Sequence, residues 1–121
     1  MPRFTQFEIP ADDPEKLANF YRRLFDWQIE KVPVEGFEYW FCKTGEGPGI
    51  NGAIVGKLTP DQTVMNYLPV ENIQKWIDEA LTLGGDIVVP KSPVAGMGWY
   101  AIVRDPENNM FGLWENDKEA Q

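Results

Sequence analysis

Gln6 and Glu8 stand two residues apart in RFTQFEI, a stretch whose side chains alternate, so an extended chain aims both to the same side. An amide beside a carboxylate is a place for hydrogen-bond or acid–base chemistry. Glu8 is a general base if desolvation raises its pKa, or equally a solvated rim charge. Gln6 is either tied to a neighbouring strand or held ready for a ligand, because a buried amide needs partners. Tyr39, Tyr67 and Tyr100 are candidate proton donors. Five Trp and four Tyr are many for 121 residues, and Trp40, Trp99 and Trp114 lie in short aromatic runs. Aromatic walls bind flat or cationic molecules by stacking and cation–π attraction, although an aromatic on a strand more often serves a core. Trp76, at helical spacing, is expected to pack. Cys42 reads as an ordinary small apolar residue of its strand rather than a nucleophile.

The composition holds no histidine. That removes Ser-His-Asp and Cys-His hydrolases, His-ligated zinc and the two-His-one-carboxylate iron site. The net charge of −8 repels phosphate backbones and anionic headgroups, so neither nucleic acid nor membrane is an expected partner. No stretch approaches the roughly 20 apolar residues of a membrane span. MPRFTQFEIPADD lacks an apolar run behind a basic start, and the lone Cys42 fits a reducing compartment, so the cytoplasm is expected.

The elements that must position these residues repeat. RFTQFEI is a strand; ADDPEKLANFYRRLFDW is a helix opened by Asp12 or Asp13 and Pro14, with Leu17, Phe20, Tyr21 and Leu24 in one stripe. WQIEKV, FEYWFCK and GINGAIVG are strands divided by Pro33, Gly36 and the glycines of GEGPG. After a break at Thr59–Asp61 the order recurs. TVMNYLPV is a strand, ENIQKWIDEALTLGG a helix capped by Asn72 and ended by Gly84 and Gly85, and DIVVP, WYAIV and MFGLWE are strands. In DPENNMFGLWE, Asp105 and Pro106 start a turn that Asn108 and Asn109 complete before the closing strand. The chain is expected to be one domain, 1–121, of two βαβββ modules, about 1–58 and about 62–121.

FEIPADDPEKLANFYRRLFDW, GPGINGAI, ALTLGGDIVVPK and IVRDPENNMFGLWE together resemble the vicinal oxygen chelate superfamily: glyoxalases, bleomycin-resistance proteins, extradiol dioxygenases and fosfomycin-resistance enzymes. The most specific likeness is to that family's D-P-x-G-N turn, with Asn108 in place of glycine; both tolerate positive φ. The resemblance implies an α+β fold in which two βαβββ modules form an open, U-shaped mixed sheet, usually dimeric, with the ligand in its concave face. Metal-dependent members take ligands from the first and last strand of each module. Carried over, these positions fall on Gln6, on Asn66 or Met65, near Asn51 or Gly52, and on Gly112. None is a good transition-metal ligand, so no metal and no cofactor are expected. Gly112 reads as a place of close approach or a bend. By alternation Glu115 points away from the face of Gly112.

The expected ligand-binding set is Gln6, Glu8, Trp40, Gly52, Asn66, Trp99, Gly112 and Trp114, with Glu8 the one catalytic candidate. The leading expectation is a metal-free small-molecule binder of the bleomycin-resistance kind, acting as a homodimer. The alternatives are a lyase, isomerase or dioxygenase-like enzyme and a protein-interaction module.

Overall fold

Alternation in QFEIPA makes the first strand, β1 (Gln6–Ala11), two-faced: Phe7, Ile9 and Ala11 join a core under the first helix, and Gln6 and Glu8 take the opposite side. The helix, α1 (Pro14–Phe25), opens as its sequence predicts. The Asp13 side chain accepts the Lys16 N–H at 3.1 Å, Pro14 needs no hydrogen bond there, and Glu15 lies in the first turn. Asp26, at φ 59°, ends it in a left-handed turn. Three strands follow: β2 (Gln28–Lys31), β3 (Tyr39–Lys43) and β4 (Asn51–Gly56). They lie in the order β2-β3-β4-β1, with β1 parallel to β4 and the other pairs antiparallel. Ala18 of α1 meets Ile29, Trp40, Cys42 and Ile54 of the sheet, so the helix covers one face.

The second module repeats this order with β5 (Met65–Pro69), α2 (Ile73–Thr82), β6 (Asp86–Val94), β7 (Gly98–Arg104) and β8 (Met110–Asn116). Its strands are ordered β5-β8-β7-β6, with β5 parallel to β8 and the rest antiparallel. Ile73 and Ile77 of α2 pack on Ala101, Val103 and Leu113. The opposite face gathers Met65, Tyr67 and Ile102 with Tyr100, Met110 and Trp114 around them. β6 runs on through Pro90 and Pro93, beyond the DIVVP segment. It ends its sheet's order and carries two register shifts, where missing N–H donors are tolerated.

This is the computed structural model of residues 1–121, all of which it describes. The chain divides into two units, Thr5–Val64 and Met65–Gln121 with Met1–Phe4. The boundary falls at Val64, just past the break at Thr59–Asp61. In each module the helix lies on one face of a mixed sheet, which is the α+β class.

Candidate functional site

The face of the first module that α1 leaves uncovered carries the polar groups. Cross-strand register sets Gln6 beside Asn51 and Glu8 beside Ala53, with Phe41 next to Ala53 and Tyr39 next to Val55. Trp40 and Cys42 belong to the helix side, so Tyr39 and Phe41 point with Gln6 and Glu8. Ala53 and Val55 are buried and form an apolar floor, while Gln6, Glu8, Tyr39 and Asn51 are half-buried around it. Burial, and then the neighbouring Glu8 carboxylate, push the Tyr39 phenol up to about 12. Tyr39 therefore stays a neutral hydrogen-bond donor at physiological pH. Asn51 is committed locally, since its side-chain oxygen accepts the Thr44 N–H at 3.0 Å and the Thr44 hydroxyl at 3.3 Å.

In the second module the uncovered face is filled by its own side chains. Tyr67 and Gly112 are direct partners on the parallel strands β5 and β8. A Cβ added at Gly112 would lie 2.4 Å from atoms of the Tyr67 ring, closer than any real contact allows. This explains the glycine where the resemblance leads one to look for a carboxylate: an aromatic ring lies flat over the strand there and needs a neighbour without a side chain. Trp114 repeats the device, its ring covering Gly98 and its indole N–H donating to Asn116 at 2.8 Å.

The other residues singled out in the sequence lie on the helix sides. Gly52 faces α1, where an added Cβ would run into Phe7. Trp40 is buried under α1; its indole N–H donates to Glu38 at 3.4 Å, and Arg22 and Lys31 stand 5.8 and 5.9 Å from its ring centre. Trp99 packs with the α2 core, donates to Asp117 at 2.9 Å and carries Lys91 at 4.6 Å. That bond is the first cause of a lowered Asp117 pKa. Asn66 alternates with Met65 and Tyr67 and shares the helix side with Leu68. A slip of one residue in facing separates all four from the positions expected of them.

Glu115 does point away from Gly112, and its role is structural. Its carboxylate accepts the Ile73 N–H at 2.6 Å, at the N-terminus of α2, where the helix dipole favours negative charge. The Asp105 turn forms as its sequence predicts. One carboxylate oxygen accepts the Glu107 and Asn109 N–H groups, each at 2.9 Å, and Asn108 adopts φ 67°. The backbone hydrogen bond from Asn109 is the largest cause of a lowered Asp105 pKa. Cys42 is fully buried, its thiol pushed up to about 11 mainly by burial, which makes it a poor nucleophile.

Counting from the caps Asp13 and Asn72, Gln6 corresponds to Met65, Glu8 to Tyr67 and Ala53 to Gly112. The first- and last-strand positions therefore offer an amide, a thioether and no anion, and Ala53 replaces Asn51 or Gly52 as the fourth. No three His, Cys, Asp or Glu side chains come together to hold a metal ion. This donor set does not fit a transition ion.

Two successive βαβββ modules of mixed strands, each with one helix-covered face, define an α+β protein of the vicinal oxygen chelate type. The chain belongs to the glyoxalase-like domain family, whose model matches residues 6–114. It is 22% identical over 120 residues to the putative glyoxylase CFP32 of Mycobacterium tuberculosis, covering 92% of this chain and 44% of that protein. The same figures hold for CFP32 of Mycobacterium bovis, so the chain spans less than half the length of these curated relatives. Among solved structures, hypothetical protein BH1468 from Bacillus halodurans superposes with a TM-score of 0.65 at 15% identity, covering 99% of this chain and 98% of that one. Methylmalonyl-CoA epimerase from Mycobacterium tuberculosis gives 0.63 at 11% identity, covering 94% and 87%. At such identities the likeness establishes the fold and carries no activity with it.

Proposed function

We propose that this glyoxalase-like protein binds a small molecule without a transition metal, on the helix-free face of the first module, through Gln6, Glu8 and Tyr39. The observation that carries the reading is the grouping of these three polar side chains around the buried Ala53 and Val55, while the corresponding ground in the second module is occupied by Tyr67. A carboxylate and a neutral phenol over an apolar floor suit an apolar or aromatic ligand with a cationic or hydrogen-bonding group. On this reading the chain acts in the cytoplasm as a homodimer, and the exposed Phe20, Leu24 and Phe25 of α1 are an apolar surface that a second copy would cover.

The test is elemental analysis of the purified protein together with calorimetric titration of candidate ligands. Less than about one metal ion per ten chains, with binding weakened by Gln6→Ala and Glu8→Gln in folded protein, supports the reading. A stoichiometric transition ion, or ligand binding indifferent to both substitutions, refutes it. The proximity of Glu8 to Tyr39 favours a second reading: an enzyme of lyase, isomerase or dioxygenase-like type, with Glu8 as base and Tyr39 as hydrogen-bond donor. Turnover abolished by Glu8→Gln distinguishes it from simple binding.

A further inference from the structure

The two helices end differently, and the difference leaves space. At the end of α1, Tyr21 stacks on Trp27 with ring centres 5.1 Å apart and planes 13° from parallel; Phe25 lies 6.1 Å from Tyr21 and 5.4 Å from Trp27. Tyr21 and Trp27 of this stack pack against the core between α1 and its sheet. Counted from the caps, the counterpart of Tyr21 is Ala80. Counted from the left-handed residues that end each helix, Asp26 and Gly84, the counterpart of Trp27 is Gly85. Both rings are missing from the second module.

A cleft of about 420 Å³ lies where they would sit, and Ala80 and Gly85 both line it. Leu68, Val70, Trp76 and Phe111 wall it, each belonging to the α2 core and each half-buried. Leu83, 70% exposed, stands at its edge. Two carboxylates border it, Glu79 on α2 and Asp105 in the turn after β7. Asp105 is fixed by its two backbone hydrogen bonds. The one cationic residue of the lining, Arg104, alternates with Val103 on β7 and so directs its side chain to the opposite face, giving the cleft its backbone.

We propose that this cleft under α2 is a second binding site, one that takes a flat aromatic cation, its rings replacing the stack of the first module and its charge meeting Glu79 and Asp105. The volume is within the range of small-molecule sites, the indole of Trp76 and the phenyl of Phe111 stand among the walls, and the carboxylates of Glu79 and Asp105 at the rim complement a cation. The site is independent of the Gln6–Glu8 face.

Proflavine, a planar three-ring cation, is the probe, read by fluorescence anisotropy against the full chain, with anthracene carboxylate as an anion of equal ring count. Saturable proflavine binding, severalfold tighter than that of the anion, is expected. Ala80→Tyr restores the missing ring and should weaken proflavine by about tenfold or more by filling the cleft, with the thermal transition kept. Gly85 is unsuited to the same graft, because a Cβ there would lie 3.0 Å from the Ala80 carbonyl oxygen and 3.1 Å from that of Arg104. Glu79→Gln, on the exposed side of α2, should weaken proflavine by about two- to fivefold and leave the anion no weaker; this variant decides the matter if Ala80→Tyr fails to fold. No binding by folded wild type, equal affinity for the anion, or unchanged affinity in either variant overturns the proposal. Binding that survives Ala80→Tyr and falls with Glu8→Gln belongs to the first module's face and overturns it as well.

Discussion

Replacing Gly112 by alanine places a methyl group 2.4 Å from atoms of the Tyr67 ring. Tyr67 is 4% exposed and packed with Met65 and Ile102, so the ring has little room to retreat. Forcing a methyl into a filled site costs about 1–3 kcal/mol. Removing the ring instead, with Tyr67→Ala, leaves a cavity and costs about 3–5 kcal/mol, by analogy with other large aromatic truncations. The double variant no longer clashes, since its new methyl enters the space the ring has left. It should therefore be more stable than the sum of the two losses predicts, by about 1–3 kcal/mol. Urea unfolding of the wild type, the two single variants and the double variant measures this coupling. A double variant whose loss equals the sum to within about 0.5 kcal/mol would refute the account of Gly112 as the seat of the Tyr67 ring. Gly112→Asp meets the same ring, so adding zinc, nickel or iron to that variant should leave its unfolding midpoint where it was. A metal-dependent rise would show that the ring yields and that a latent metal site exists.

Three further outcomes follow from single contacts. Glu115→Ala removes the carboxylate at the start of α2 and should cost about 1–2 kcal/mol in urea unfolding, with Glu115→Gln losing about half as much because a neutral acceptor remains for the Ile73 N–H. Tyr39 should ionise near 12 by phenolate absorbance, and lower in Glu8→Gln; since the unfolded phenol titrates near 10, its contribution to stability is complete below pH 10 and is lost as the pH rises toward 12. Cys42, with its thiol raised to about 11, should resist iodoacetamide near pH 8 in folded protein and react within minutes once urea exposes it; fast alkylation in the native state would contradict its burial.

What could be read from the sequence was local, and what could not was parity and register. Asp13 with Pro14, Asn72, and the Asp105–Asn109 turn each act within a few residues, so both helices and the closing turn could be placed from residue types alone. Strand facing is another matter. In FEYWFCK, Phe37, Tyr39 and Phe41 are aromatic on one parity while Trp40 and Cys42 are apolar on the other, and WYAIV is apolar on both. Composition then gives no reason to choose a face, and Trp40 and Trp99 turn out to serve the cores under α1 and α2. The seating of Tyr67 over Gly112 depends on the parallel register of β5 and β8, which joins strands from opposite ends of the module. Its only trace in the sequence is a glycine in a strand that otherwise has large side chains. The internal repeat gives more once its register is known, because corresponding positions must solve the same packing problem. Where the first module packs Tyr21 and Trp27 between α1 and its sheet and the second has Ala80 and Gly85, either the second module accepts the cleft at a cost in stability or something else fills it. Ala80→Tyr separates these: a stabilised protein with no lost ligand means the cleft is a packing defect, and a lost ligand means it is a site.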